Sequence, residues 1–232
     1  MDARNETRMD YSFLVFKSKC MKNNDYQNIL LQSLPESYKI WFDEEKKYLE
    51  KNINKNAKVL EIGSGDGRSI FDLIAITKNI TGIDHNQKAI RKARQRFPEH
   101  SSIVFIKTDA EKLPFKESDF DYVICMCSFM NFGNKKEKIL SEMKRVLKPA
   151  GKIIISTFSQ NALPERMKVY EKLNAPIKEV SPNGTVIFDE SFGDNISEQF
   201  TKEELIRIFN QAKLQVVDIA ECNIAYLCLL SK

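Results

Sequence analysis

Between residues 57 and 158, short apolar runs alternate with stretches whose apolar residues recur at helical spacing. This is the pattern of a parallel sheet joined by crossover helices. Lys58–Ile62 (KVLEI) reads as a buried strand, followed by glycines and a helix through Ile70, Leu73 and Ile74. Ile80–Ile83 is a second strand, and the helix after it, from about Gln87 to Phe97, has Asn86 placed as its cap. Ile103–Ile106 and Asp121–Met126 are the third and fourth strands. A helix over about Lys135–Leu147 leads through the turn Lys148-Pro149-Ala150-Gly151 into a fifth strand, Lys152–Thr157. Further on, Thr201 and Glu204 form a capping box that opens a helix to about Ala212, with two more strands near Gln215–Ala220 and Ile224–Leu230.

Two regions stand outside the alternation. Residues 1–56 read as a helical cap, in which the better-marked helix starts at Ser33, carries Pro35 in its first turn and completes a capping box with Glu36. Leu34, Tyr38, Trp41, Phe42, Tyr48 and Leu49 give that helix a broad aromatic stripe, which suits either a core face or the wall of an acceptor pocket. The second region, about 159–200, reads as an insertion, because Pro182-Asn183-Gly184 between Ile177–Val180 and Thr185–Phe188 predicts a β-hairpin. Both regions are expected over the carboxyl ends of the parallel strands.

Length and composition narrow the class. A chain of 232 residues suits one domain with an elaboration, and 42% hydrophobic with 29% charged residues excludes a disordered or collagen-like chain. No apolar run approaches the roughly 20 residues of a membrane span, and Phe13–Phe16 is too short for a signal-peptide core. Five cysteines without CxxC spacing argue against a disulfide framework or a structural zinc site, so a reducing, cytoplasmic setting is expected and no metal. The net charge is +4, and the surplus lies in residues 57–158, where Lys88, Arg91, Lys92, Arg94 and Arg96 crowd one segment. Ile90, Ala93 and Phe97 mark a buried stripe beside them, so the charges read as a solvated helix face rather than a nucleic-acid surface.

The candidate chemistry starts at Val59-Leu-Glu-Ile-Gly-Ser-Gly-Asp-Gly67-Arg68, a strand running through a glycine-rich turn into a helix. Such a turn lets backbone approach a ligand closely and aims helix N–H groups at it. Three carboxylates accompany it. Asp84 ends the second strand, where an acid can take both hydroxyls of a ribose. Asp109 follows the third strand and suits an adenine amino group, and Glu61, inside the first strand, is costly to bury unless it binds something.

On these residues the chain resembles the class I S-adenosylmethionine-dependent methyltransferases. The similar stretches are Val59–Arg68, Ile80–His85, Val104–Phe115, Phe120–Asn131 and Met143–Ser156, in order and at suitable spacings. The resemblance implies a doubly wound, Rossmann-like α/β fold whose seven-stranded sheet is mostly parallel with an antiparallel last strand. It implies S-adenosylmethionine as cofactor and S-adenosylhomocysteine as product. It places Glu61, Gly63 and Gly65 near the methionine part, Asp84 on the ribose, His85 near the ribose or adenine, and Asp109-Ala110 at the adenine, with Ser64 and Gly67 also among the cofactor-binding residues. Cys127 and Ser128 would border the methyl group. Ala150 departs from the family's usual second glycine in its turn. NAD is the competing nucleotide, but its fingerprint wants glycine where Arg68 stands, and it has no role for Glu61 or Asp109.

Methyl transfer from a sulfonium needs alignment and exclusion of water, and a general base only for a protonated nucleophile. His85 is taken by the cofactor side, His100 sits in a charged connection, and residues 159–200 hold no histidine. This favours nitrogen, sulfur or carbon acceptors, or a base from a carboxylate or tyrosine, and names no catalytic residue. The chain reads Cys127-Ser128-Phe129-Met130-Asn131 where adenine methyltransferases of this resemblance carry an Asn/Asp-Pro-Pro-aromatic element, which disfavours DNA. Cys125 and Cys127 share a strand side and could meet a soft substrate, or serve simply as small buried residues. Asp189, Glu190 and Asp194 near the hairpin hint at a cationic acceptor, or at solvation alone. The expected function is methylation of a small-molecule acceptor, touched by Tyr38, Trp41, Ser128 and Asn131, by a monomer or homodimer without nucleic-acid or membrane partners. An RNA or protein methyltransferase and a non-catalytic S-adenosylmethionine-binding protein are the alternatives.

Overall fold

The computed structural model describes residues 34–98, 100, 102–189 and 196–232. Seven strands form the main sheet: β1 (Val59–Ile62), β2 (Ile80–Asp84), β3 (Ile103–Lys107), β4 (Phe120–Met126), β5 (Leu147–Phe158), β9 (Gln215–Cys222) and β10 (Ala225–Ser231). Their order is β3-β2-β1-β4-β5-β10-β9. β3, β2, β1, β4 and β5 pair in parallel, and the last strand, β10, runs antiparallel to both β5 and β9. In register, Leu60 lies opposite Thr81 on one side and Val123 on the other. Val59, Leu60, Ile62, Val123, Ile124, Ile153, Ile154 and Ile155 are fully buried. Central parallel strands are covered on both faces, hence the unbroken apolar runs, and each such side chain contributes about 1.5–3 kcal/mol by leaving water.

Two expectations change. The helix after the glycine turn is a single turn, α2 (Ile70–Leu73). The expected turn at Lys148–Gly151 is instead an irregular stretch of β5, in which Phe120 pairs with Leu147 and Tyr122 with Lys152. The cause is close approach: a Cβ on Gly151 would lie 2.6 Å from the Asp121 carbonyl, so the glycine lets β5 press on β4. Lys148 Nζ donates to Asp121 Oδ1 across the same stretch at 2.7 Å.

The helices follow their caps. In α3 (Gln87–Arg96), Asn86 Oδ1 accepts from the backbone of Lys88 and Ala89. Its basic face is partly committed, since Arg94 donates to the Phe105 carbonyl and Arg96 pairs with Asp66 at 3.0 Å. α4 (Lys136–Val146) follows two 3₁₀ turns, Phe129–Asn131 and Gly133–Lys135, and α6 (Lys202–Gln211) opens with the Thr201–Glu204 capping box.

The cap helix α1 (Glu36–Asn52) has Pro35 at its N-cap; Ser33, the proposed capping residue, lies outside the described residues. Its aromatic stripe lies on the main sheet. Trp41 Nε1 donates to Ser156 Oγ at 2.7 Å on β5, and the Tyr48 hydroxyl donates to Asp218 at 2.9 Å on β9. The 159–200 region folds as α5 (Leu163–Lys172) and a three-stranded antiparallel sheet of β6 (Ile177–Val180), β7 (Val186–Phe188) and β8 (Ile196–Ser197). The predicted hairpin joins β6 to β7, closed by Ser181 N–H donating to the Thr185 carbonyl at 2.8 Å. Fully buried Arg166 fastens α5 to this sheet, donating to the carbonyls of Gly184 (2.9 Å) and Ser197 (2.6 Å). No described helix is long and apolar enough to cross a membrane.

Candidate functional site

A cavity of about 710 Å³ opens beyond the carboxyl ends of β1, β2, β3 and β4. Ligands of open α/β sheets bind at this edge, where strand ends diverge around the switch in strand order. Here the switch lies between β1 and β4, because the chain leaves β1 for β2 and β3 on one side and returns to β4 on the other. The walls come from the turn after β1 (Gly63), the ends of β2 (Asp84, His85) and β3 (Asp109, Ala110), and the segment after β4 (Ser128, Asn131).

The geometry of each follows from its place. Gly63 adopts φ +71°, and a Cβ there would come within 2.4 Å of Ser128 Oγ, so only glycine allows the two strand ends to meet. Ser128 Oγ donates to the Gly63 carbonyl at 2.9 Å. Asp84 is fixed by two backbone donors: Gly65 N–H reaches Oδ2 at 2.9 Å and Asn86 N–H reaches Oδ1 at 2.8 Å. A carboxylate has about four acceptor sites, so lone pairs remain for a ligand diol. Asp109 Oδ1 accepts from Glu111 N–H at 2.9 Å, which shapes the turn after β3. Glu111 in turn pairs with Lys135 at 2.8 Å and with Lys138 at 3.3 Å, and these cations hold its carboxyl below the usual range. That exposed pair links the turn after β3 to the 3₁₀ turn across the cavity, because Lys135 is also in the wall. His85 is largely exposed at the rim, 3.8 Å from Asp84.

Other expected residues lie behind the wall. Glu61 is completely buried in β1; the Ser69 hydroxyl donates to one oxygen, and the other has no hydrogen-bond partner among the described residues. Burial pushes its carboxyl up to about 7. Ser64 is buried and its N–H donates to the Ile83 carbonyl at 2.9 Å, holding the turn to β2. Gly67 has φ +91°, and a Cβ there would meet the Phe97 ring at 2.6 Å. Strand β4 ends at Met126, and Cys127 turns away in the left-handed region with φ 61°. Cys125 is buried in the core, and Cys127, just past the strand, contacts Glu45 and Arg68.

Tyr38 and Trp41, expected to touch an acceptor, do not line this cavity. Both are buried under α1, where Trp41 sits 5.0 Å from the Phe158 ring and bonds Ser156, so their stripe is a core face. Asp189 is likewise absent from the wall, and Glu190 and Asp194 lie outside the described residues. The wall also takes apolar side chains from Phe132, Ile139, Ile187 of β7 and Ile196 of β8, beside the polar Asn134 and Lys135. Nothing in the periodicity singles these out, since a lone isoleucine on a short strand looks the same whether it faces a core or a cavity.

Comparison with known proteins agrees with this geometry. A family model described as a methyltransferase domain matches residues 53–213. The demethylmenaquinone methyltransferase of Staphylococcus aureus is 28% identical over 223 residues, 90% of this chain and 87% of that protein. The ubiquinone/menaquinone biosynthesis C-methyltransferase of Wigglesworthia glossinidia brevipalpis is 34% identical over 124 residues, and that match spans about half of each protein (51% and 49%). Among solved structures, a protein of Pyrococcus horikoshii superposes with TM-score 0.65 at 28% identity, covering 85% of this chain and 92% of that one. A Methanosarcina mazei protein described as an S-adenosylmethionine-dependent methyltransferase has TM-score 0.61 at 24% identity, covering 80% and 96%, and shares the fold.

Proposed function

The chain belongs to the S-adenosylmethionine-dependent methyltransferase family, and from that premise we propose that it methylates a small, largely apolar molecule held between the glycine turn and the β7–β8 wall. The observation that carries this reading is the convergence of Gly63, Asp84, Asp109 and Ser128 from four strand ends on one cavity. The residues suit the cofactor: Asp84 is held by two backbone donors and retains acceptor capacity, and Glu61 keeps one buried oxygen without a hydrogen-bond partner among the described residues, beside the glycine turn. In this reading Asp84 holds the ribose hydroxyls and Asp109-Ala110 faces the adenine. Gly63, Ser64, Gly65 and Gly67 shape the passage for the methionine part, with Glu61 behind them.

When bound, the cofactor would supply a methyl group from its sulfonium, which would be left as a neutral thioether. The chain's own contribution is alignment and exclusion of water. Ser128 and Asn131 offer polar atoms at the end of β4, and Phe132, Ile139, Ile187 and Ile196 supply a dry face. That face suits a flat apolar ring better than a cation. The names of the two relatives concern ubiquinone/menaquinone biosynthesis and demethylmenaquinone, and one is a C-methyltransferase, so a ring carbon of a quinol is the acceptor to test first. Internal bonds of Arg94 and Arg96 leave less of the α3 face for a phosphate backbone than the charge count suggested.

Calorimetric titration with S-adenosylmethionine and S-adenosylhomocysteine, with NAD as control, tests the reading. Wild type is expected to bind the adenosyl ligands at micromolar concentration. Asp84→Ala, which removes charge-assisted hydrogen bonds of about 1.5–3 kcal/mol each, is expected to weaken them at least roughly 10-fold. No binding, or a preference for NAD, overturns the reading.

A further inference from the structure

The cap helix reaches the glycine turn through one side chain. Glu45 of α1 is 1% exposed, and its Oε2 lies 2.7 Å from Arg68 Nη1. The Cys127 thiol donates to Glu45 Oε1 at 3.2 Å, and Arg68 Nη2 donates to Cys127 Sγ at 3.3 Å. The three side chains thus close a triangle, and the Arg68 guanidinium also lies 4.1 Å from the centroid of the Phe42 ring, again on α1. One corner, Arg68, directly follows the glycine turn. Another, Cys127, directly precedes Ser128 at the end of β4. The triangle therefore joins the two strand ends that meet at Gly63 and Ser128 in the cavity wall.

We infer that Glu45, which has no place in the cavity wall, is a positioning residue: through Arg68 and Cys127 it sets the gap between the glycine turn and the end of β4, and with it the fit of the cofactor. This rests on the cofactor reading above. The gap has little slack, because Ser128 Oγ already bonds the Gly63 carbonyl, and a Cβ at Gly63 would collide with it. The end of β4 is also held against relaxation, since a non-glycine residue in the left-handed region persists only where its surroundings impose it. Its backbone N–H donates to the Ser156 carbonyl at 3.1 Å, and its side chain is held by Glu45 of α1 and by Arg68. Alignment errors of about 1 Å cost around 10²-fold in reactions of this kind, so a side chain that controls this gap matters beyond its own ion pair.

An ion pair that only fastened α1 would affect stability and leave ligand affinity alone, and this separates the two roles. The experiment measures the dissociation constant of S-adenosylhomocysteine and the urea midpoint for wild type, Glu45→Gln, Arg68→Met, the double variant, Arg68→Lys and Tyr48→Phe. Tyr48→Phe removes a different α1 anchor, the bond to Asp218 on β9, and serves as control. Positioning predicts roughly 10-fold weaker binding for Glu45→Gln and for Arg68→Met, with the double variant no weaker than either, because both break one unit. Arg68→Lys keeps the charge but loses the fork that reaches both partners, and an intermediate loss is expected. Tyr48→Phe is expected to lower the midpoint and stay within about two-fold of wild-type affinity, as distant sites act independently. Folded Glu45→Gln and Arg68→Lys proteins with wild-type affinity overturn the inference, and Arg68→Lys decides alone if Glu45→Gln fails to fold. A wild type that does not bind S-adenosylhomocysteine overturns the cofactor reading itself, and is distinguished by that.

Discussion

Glu61 is a carboxyl with a price attached to its charge. It is fully buried in β1, and burial pushes it up to about 7, against the hydrogen bond from Ser69 and the charge of Arg68, which pull it down. A carboxyl whose value is raised on folding supports the folded state while protonated. Its contribution is complete below the ordinary value of 4.5 and is lost as pH rises through about 7. Asp72, nearby and pushed up to about 6 by burial, acts in the same direction. Urea midpoints at pH 5 and pH 8 should therefore show the ligand-free protein losing stability with rising pH. Glu61→Gln should flatten the curve by up to about 3 kcal/mol. A variant with the wild-type slope would mean that Glu61 ionises freely in place. Residues of this sort were readable from the sequence where a strand end fixed their position, as at Gly63, Asp84 and Asp109. Glu45 was not, because its contact with Cys127 joins residues 82 apart and no local pattern marks it.

At the scale of elements, the small sheet of β6, β7 and β8 is where local signals and tertiary need diverge. Asn183-Gly184 announces the hairpin, and Gly184 takes the positive φ such a turn requires. What the hairpin is for depends on Arg166, a buried cation whose donors meet carbonyls of Gly184 and Ser197 and the side chains of Ser197 and Gln199. The same sheet is tied to the segment after β4 by Glu198 N–H donating to the Met130 carbonyl at 2.9 Å and by the Lys136–Glu198 ion pair. Removing the guanidinium leaves buried carbonyls unsatisfied, at about 1–3 kcal/mol each. Arg166→Met should therefore speed hydrogen exchange in β7 and β8, which carry Ile187 and Ile196. It should leave affinity for S-adenosylhomocysteine near wild type, because Asp84 and the glycine turn belong to the other layer. Unchanged exchange would show that the apolar contacts of Val186 and Phe188 suffice to hold the sheet. The α1 stripe teaches the complementary lesson: Tyr38 and Trp41 looked equally suited to a pocket or a core, and the choice fell to Ser156 and Phe158, which meet Trp41 from β5.

For the whole molecule, the cavity exists only because strand ends distant in sequence diverge at one sheet edge. A ligand held there touches β1, β2, β3 and β4 together and binds the folded chain alone. Saturation with S-adenosylhomocysteine at about 100 times its dissociation constant should then stabilise the protein by about 2.7 kcal/mol. For a domain of this size that raises the thermal midpoint by roughly 5–10 °C. Asp84→Ala, binding at least roughly 10-fold more weakly, should keep no more than about 1.4 kcal/mol of this, about half the shift, at the same concentration, and an equal shift in the variant would place the ligand elsewhere. The alternation of strand and helix patterns, the Asn86 and Thr201 caps, the glycine turn and the acids at strand ends are decided by local sequence. Their physical causes act within a few residues: side-chain periodicity, capping and left-handed backbone. The course of β5 through Lys148–Gly151, the apolar wall of Ile187 and Ile196, the Glu45–Arg68–Cys127 triangle and the burial of Tyr38 and Trp41 are decided by tertiary structure alone. Each depends on which surfaces the sheet brings into contact, and a residue's own neighbours in sequence carry no record of that.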